Sequence, residues 1–129
     1  RRQRQMCIRD SSDTAQDADY STVPVNPGDV IVQATDGLWD NLRDQDMCQI
    51  VAGVPRTGGI DVDALAEYLC AAASRNSVDT SYPSPFMQEA VRAGQIQVSI
   101  FDKMQGIEPT GGKLDDITVV VAEVTGSAA

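Results

Sequence analysis

The stretch Asp36–Leu42 (DGLWDNL) decides the fold. It ends an apolar run, and a second acidic stretch that precedes an apolar run, Gly111–Thr118 (GGKLDDIT), lies far downstream. Residues 30–35 predict a buried strand that stops at Asp-Gly, where we expect Gly37 to adopt a left-handed backbone and end the pairing. The second stretch leads from a Gly-Gly turn into residues 117–124, whose valine and isoleucine content predicts another strand.

If these two strands lie side by side, Asp36 and Asp115 converge at one end of a sheet. Two carboxylates at close range repel each other by several kcal/mol unless a positive group lies between them. A hard divalent cation, which prefers oxygen ligands, is the natural candidate for that group.

The two stretches resemble the C-terminal half of the metal-dependent serine/threonine protein phosphatases of the PP2C (PPM) type, and within them the PPTC7-like branch. Thr35–Asn41, Ser84–Phe86 and Gly111–Thr118 follow one another in the order of that branch. The resemblance covers residues 12–124, and its two end motifs are the specific ones. It implies an α+β fold, a portion of an α/β/β/α sandwich of antiparallel sheets flanked by helices, with the N-terminal half missing.

The resemblance also implies a chemistry, in which two Mg²⁺ or Mn²⁺ ions activate a water that hydrolyses phosphoserine and phosphothreonine. By position in the motifs, Asp36 and Asp115 are the expected metal ligands, and no further catalytic residue is expected. Gly37 and Gly112 are expected to allow close backbone approach. Asp40 and Asn41 are expected to make capping-type hydrogen bonds to backbone amides. Asp116 is expected to support the neighbouring ligand without contacting the metal itself.

An N-terminal motif of the family has no match in this sequence. It holds the other bridging aspartate, a glycine carbonyl ligand and, in many members, a phosphate-binding arginine. Two aspartates do not complete two metal shells, so we expect this chain alone to be weakly active or inactive and poorly stable. The alternatives are a non-catalytic phosphatase-like module that binds a partner, and a simple acidic cation-binding or structural domain.

Composition restricts the function further. A chain of 129 residues with a net charge of −9 provides one core and disfavours nucleic acid and anionic membranes as partners. No apolar run approaches the ~20 residues of a membrane helix. The sequence has no histidine, and its three cysteines lack C-x-x-C spacing, so neither imidazole chemistry nor a zinc site is indicated. A phosphoprotein is the implied partner and a mitochondrion or plastid the implied compartment, whereas the individual substrate and the oligomeric state are not predicted.

The two ends of the chain differ from the rest. Residues 1–11 are rich in arginine and predict a foreign tail of the kind that a translated sequencing adapter produces, with a basic targeting or docking arm as the alternative. Residues 125–129 predict a frayed, disordered tail.

Between the ends, the sequence predicts a short strand at residues 22–25 that forms a hairpin with the strand at 30–35. Trp39 is expected in the core. Helices are expected to start at three N-cap residues, Asp44, Asp61 and Ser84. Residues 95–109 fit a strand and a helix equally well, and we leave their structure open.

Overall fold

The computed structural model describes residues 14–126, and this part of the chain has the mixed α+β fold that the sequence predicts. Two strands, β1 (Val30–Ala34) and β2 (Val119–Glu123), pair antiparallel, with Ala34 opposite Val119. A 3-10 turn at Ala15–Asp17 precedes β1. The helices between the strands are α1 (Asp36–Trp39), α2 (Asp44–Gly53), α3 (Val62–Val78), α4 (Pro85–Arg92) and α5 (Ile100–Met104).

The core lies between α3 and one face of the two-stranded sheet. Helix α3 starts as predicted, because the Asp61 side chain accepts a hydrogen bond from the backbone N–H of Ala64 at 3.0 Å. Its buried apolar residues recur at helical spacing and are Leu65, Leu69, Ala72 and Ala73. Alternate strand residues pack against them, namely Val30, Val32, Ala34, Val119 and Val121. This packing fixes the ends of both strands relative to α3.

The opposite face of the sheet is open to solvent. The side chains that alternate onto it are Ile31, Gln33, Val120 and Ala122. Ile31 is 48% exposed and Val120 is 57% exposed. Strands that carry apolar residues on both faces are typical of a sheet that is covered on both sides.

The predicted strand at residues 22–25 is wrong, and with it the predicted hairpin. This segment forms no strand, and Val23 and Val25 are exposed. Within residues 14–126, the antiparallel partner of β1 is β2, which lies some ninety residues further along the chain. The turn at Pro27–Gly28 is present and hydrogen-bonds to the far end of β2, since Gly28 N–H donates to Val124 O at 2.7 Å.

Helix starts were predicted correctly at two of three positions. The Ser84 hydroxyl caps α4 by accepting from Met87 N–H, with Pro85 as the first helical residue. Helix α2, however, begins at Asp44 itself, and Arg43 occupies the N-cap position without a side-chain capping bond. Asp44 instead lies in the first turn, where a negative charge is favourable.

The boundaries of the remaining elements differ from the predicted ones. The two strands are shorter than predicted, and the open segment at residues 95–109 contains the short helix α5. Residues 1–11 and most of the predicted tail at 125–129 lie outside the described residues. In residues 14–126, no helix has the length and apolar character needed to cross a bilayer.

Candidate metal centre

The antiparallel pairing of β1 and β2 brings the two acidic stretches to the same end of the sheet. The chain leaves β1 at Thr35 and enters β2 at Thr118, and Thr35 N–H donates to Thr118 O at 3.1 Å. The Thr35 hydroxyl extends this pairing, because it donates to Asp116 O and accepts from Thr118 N–H, both at 3.0 Å. Asp36 and Asp115 flank these bonds and therefore come close together.

Gly37 makes this close approach possible, although not through the left-handed backbone that the sequence predicts. It is a buried residue of α1, and its φ angle is not positive. A Cβ atom on Gly37 would lie 3.0 Å from Cγ1 of Ile117 and closer still to the carbonyl oxygen of Asp116. Glycine is required here because two main-chain segments touch.

Asn41 fastens the second stretch to the first. It is fully buried, and its side-chain amide donates to Gly37 O at 3.0 Å and to Lys113 O at 2.7 Å. Its side-chain carbonyl oxygen, Oδ1, accepts a hydrogen bond from Lys113 N–H at 2.8 Å. These bonds hold the main chain of Lys113 on both sides, so the loop before Asp115 has a fixed position.

Gly112 lets the same loop pass close to the end of α3. A Cβ atom there would lie 2.6 Å from the Cα atom of Ser77 and would also collide with the carbonyl of Asn76. The neighbouring Gly111 is held by Ser84, whose hydroxyl donates to its carbonyl oxygen. The close approach predicted for Gly37 and Gly112 is thus an approach of backbone to backbone.

Three carboxylates meet at this corner, from Asp36, Asp40 and Asp115. Each offers an oxygen atom, and the three oxygen atoms lie within 4.8 Å of one another. The side chains differ in exposure, at 70% for Asp36, 33% for Asp115 and 19% for Asp40. Asp40 joins the cluster because it follows Asp36 by four positions and so lies on the same side of the helical turn.

The ammonium group of Lys113 lies among these carboxylates. Its Nζ atom is 2.7 Å from Oδ2 of Asp40, 3.2 Å from Oδ2 of Asp115 and 3.5 Å from Oδ2 of Asp36. The hydrogen bond to Asp40, followed by the one to Asp115, raises the pKa of Lys113 above its usual range. Three carboxylates and one ammonium leave the cluster with a charge of −2.

Asp116 supports Asp115 through its main chain. The Asp116 N–H donates to Oδ1 of Asp115 at 2.8 Å. This bond, followed by the ammonium of Lys113, lowers the pKa of the Asp115 carboxyl below its ordinary value. Asp115 is therefore held in its ionised form, which is the form that binds cations.

The donor set suits a hard divalent cation. Carboxylate oxygens are the ligands that Mg²⁺ and Mn²⁺ prefer, and the excess negative charge calls for more than one positive charge. The lysine ammonium demonstrates that a cation fits between these oxygens. A groove of about 330 Å³ opens beside the cluster, with Phe86 and Glu89 on its wall.

Two residues of this site have positions that the sequence alone did not predict. Asp40 was expected to cap backbone amides, but its side chain bonds to Lys113 instead. Its spacing of four residues from Asp36 is the signal that would have indicated a shared helical face. Lys113 was not singled out at all, and only the folded structure shows its ammonium turned toward the carboxylates.

The chain is similar in sequence to known protein phosphatases. Probable protein phosphatase 2C 26 of Arabidopsis thaliana is 42% identical over 123 residues, a match that covers 95% of this chain and 39% of that protein. The protein phosphatase PTC7 homolog of Danio rerio is 35% identical, with 88% of this chain and 35% of that protein covered. No family model matches the chain.

A solved structure shows the same fold. The X-ray structure of the photosystem II phosphatase PBCP matches with a TM-score of 0.77 and 36% sequence identity. The match covers 92% of this chain and 44% of PBCP. The chain therefore spans less than half of the length of each of these three proteins.

Proposed function

We propose that this chain, a homologue of part of the protein phosphatase 2C proteins, is the C-terminal part of the catalytic domain of a metal-dependent serine/threonine protein phosphatase. The observation that carries the proposal is the carboxylate cluster of net charge −2, which the fold assembles from two stretches far apart in the sequence. Such a cluster is unfavourable for a domain without a bound cation, because like charges repel at these distances.

Asp36 and Asp115 are the proposed ligands of Mg²⁺ or Mn²⁺, and the position of Asp40 adds it to the set. When bound, such ions supply a polarised phosphoryl group and a water of lowered pKa. The other residues act by position. Asn41 and the two glycines, Gly37 and Gly112, hold the acidic stretches against each other, and Asp116 keeps Asp115 ionised.

The chain supplies part of a site. Three carboxylates do not provide the six oxygens that each of two ions takes. The open apolar face of the sheet is a second sign that further structure covers this part of the molecule in a complete domain. We therefore expect the isolated chain to be weakly active or inactive. The substrate class is phosphoproteins, and the PTC7-like branch and a mitochondrial or plastid location are the finer assignments that we propose.

One observation favours a second candidate function. Lys113 already places a positive charge among the carboxylates, as a structural ion pair would. A phosphatase-like module that binds a partner without catalysis would keep such a pair and would not need a metal.

Hydrolysis of p-nitrophenyl phosphate with and without Mn²⁺, together with calorimetric Mn²⁺ binding, tests the proposal. Asp36→Ala and Asp115→Ala should lose Mn²⁺ binding and any Mn²⁺-dependent hydrolysis. Asp19→Ala removes an exposed carboxylate elsewhere and serves as the control for net charge. If the original chain and the control bind no more Mn²⁺ than the two variants do, and removing the charge of Lys113 does not restore binding, the metal site is refuted, and the binding module becomes the better reading.

A further inference from the structure

Lys113 combines a main chain that is held in place with a long, partly exposed side chain. Asn41 binds its backbone N–H at 2.8 Å and its carbonyl oxygen at 2.7 Å. The side chain is one-third exposed. Its ammonium contacts the three carboxylates and lies over the face of the Phe86 ring. A long aliphatic stem of this kind can reorient its charge without disturbing the loop.

The position of the ammonium matters for any metal ion. Its Nζ atom is 2.7 to 3.5 Å from one oxygen of each of the three carboxylates. A divalent cation held by these oxygens would lie within contact distance of Nζ. Two like charges do not share one set of ligands at such distances, because their mutual repulsion is strong.

We infer that Lys113 is an internal cation that keeps the three carboxylates together in the metal-free protein and must be displaced before a divalent ion binds. The inference rests on the proposed metal site. Lys113 then acts as a competitor that sets the metal concentration at which the site fills. It also prevents the cluster from opening when metal is scarce, since the ammonium offsets part of the repulsion.

The structure provides a place for the displaced ammonium. The groove of about 330 Å³ beside the cluster is lined by Phe86 and Glu89 as well as by Lys113. Nζ is already 5.7 Å from the centre of the Phe86 ring, a distance at which a cation is attracted to an aromatic face. A rotation of the side chain into this groove would move the charge out of the cluster and toward the Glu89 side of the groove.

Mn²⁺ titration of the full chain tests the inference, because the direction in which a substitution of Lys113 changes the Mn²⁺ affinity distinguishes competition from structural support. Lys113→Met keeps an unbranched apolar side chain that lacks only the terminal ammonium and so removes the charge. It should tighten Mn²⁺ binding about fivefold, the scale of a partly exposed ion pair. Lys103→Met removes the same charge from an exposed position in α5 and should leave the affinity unchanged. A residue with a merely structural role would weaken the binding when it is replaced.

The outcomes separate the two proposals. If the original chain binds Mn²⁺ and Lys113→Met binds it with equal or lower affinity, the inference is refuted and the metal site stands. If neither protein binds Mn²⁺, both proposals fall. If only Lys113→Met binds, the competition is stronger than expected and the inference is supported.

A second measurement needs no variant and therefore does not depend on the folding of Lys113→Met. The chain has two lysines, Lys103 and Lys113, so ¹⁵Nζ labelling gives two ammonium signals. The Lys113 signal should be protected from exchange without Mg²⁺ and should shift or vanish as Mg²⁺ is added, while Lys103 stays constant. A Lys113 signal that Mg²⁺ leaves unchanged, in a chain that binds the ion, would contradict displacement.

Discussion

Two ionic clusters lie on either side of Asn41, and they differ in charge balance. In the first, the Arg43 guanidinium binds Asp46 through two bonds of 2.8 and 3.1 Å. The hydroxyl of Tyr82 donates to the same carboxylate at 2.6 Å, and the guanidinium stacks 5.3 Å from the Tyr82 ring centre. One positive charge thus meets one negative charge.

The second cluster has one ammonium for three carboxylates, namely Lys113 with Asp36, Asp40 and Asp115. The balanced pair has a structural explanation, because it links α2 to the segment before α4 and so stabilises the fold. An unbalanced cluster is not explained in that way, since its excess charge opposes folding. The difference teaches that excess like charge, rather than the mere presence of ion pairs, marks the candidate site.

The largest effect is expected from Gly37→Ala, which should break the acidic cluster and leave the balanced pair in place. The new Cβ would collide with the main chain of Asp116, which cannot turn aside as a side chain can. We expect the free energy of unfolding to fall by about 3 kcal/mol. Urea denaturation measures the loss.

Gly53→Ala is the matched control for this substitution. Gly53 is also helical, and a Cβ at that position meets nothing within 4 Å. The control should be neutral or slightly stabilising, because alanine favours the helix. Equal stability of the two variants would show that the contact between α1 and Asp116 does not position the acidic cluster.

Asn41→Ala should have the next largest effect. It removes three hydrogen bonds at a fully buried position and leaves the carbonyl and N–H of Lys113 without their partner. A loss of about 2 kcal/mol in unfolding free energy is expected. Asn26→Ala, at an exposed turn, should change stability by less than ~0.5 kcal/mol. If both substitutions lowered the unfolding free energy equally, Asn41 would not be the link between the two stretches.

Asp46→Asn tests the balanced pair through pH. The bonds from Arg43, and next from Tyr82, lower the pKa of Asp46 below its ordinary value of 3.8. A carboxyl with a lowered folded pKa adds stability above its unfolded pKa and loses it as the pH falls through the folded pKa. The variant should therefore be about 1 kcal/mol less stable at pH 7, discounted for partial exposure, and equally stable in strong acid. A difference that is constant with pH would mean that the carboxylate charge is not what stabilises the pair.

The sequence predicted the parts of this site that depend on local signals. The caps at Asp61 and Ser84 are side chains that bond to amides three residues away. An apolar run and a high valine and isoleucine content predicted the two strands. The site itself depends on contacts between distant residues. Gly37 looked like a turn glycine because Asp-Gly is typical of turns, whereas its true constraint is the carbonyl of Asp116. The bonds from Asn41 bring the main chain of Lys113 next to the first acidic stretch, and no spacing rule predicts this contact between distant residues.

The smallest change in stability and the sharpest test of the comparison come from Asp36→Asn. Its side chain is 70% exposed and pairs with Lys113 at 3.5 Å, while it repels the two neighbouring carboxylates. These effects oppose each other, so the free energy of unfolding should change by no more than ~0.5 kcal/mol in either direction. Mn²⁺ affinity should nevertheless fall about tenfold or more, because a proposed ligand is lost. Asp46→Asn should give the reverse pattern, with stability lost and Mn²⁺ binding kept. If Asp36→Asn instead destabilised the fold as much as Asp46→Asn and left Mn²⁺ binding intact, the acidic cluster would be a second structural tie, and its excess charge would require another explanation.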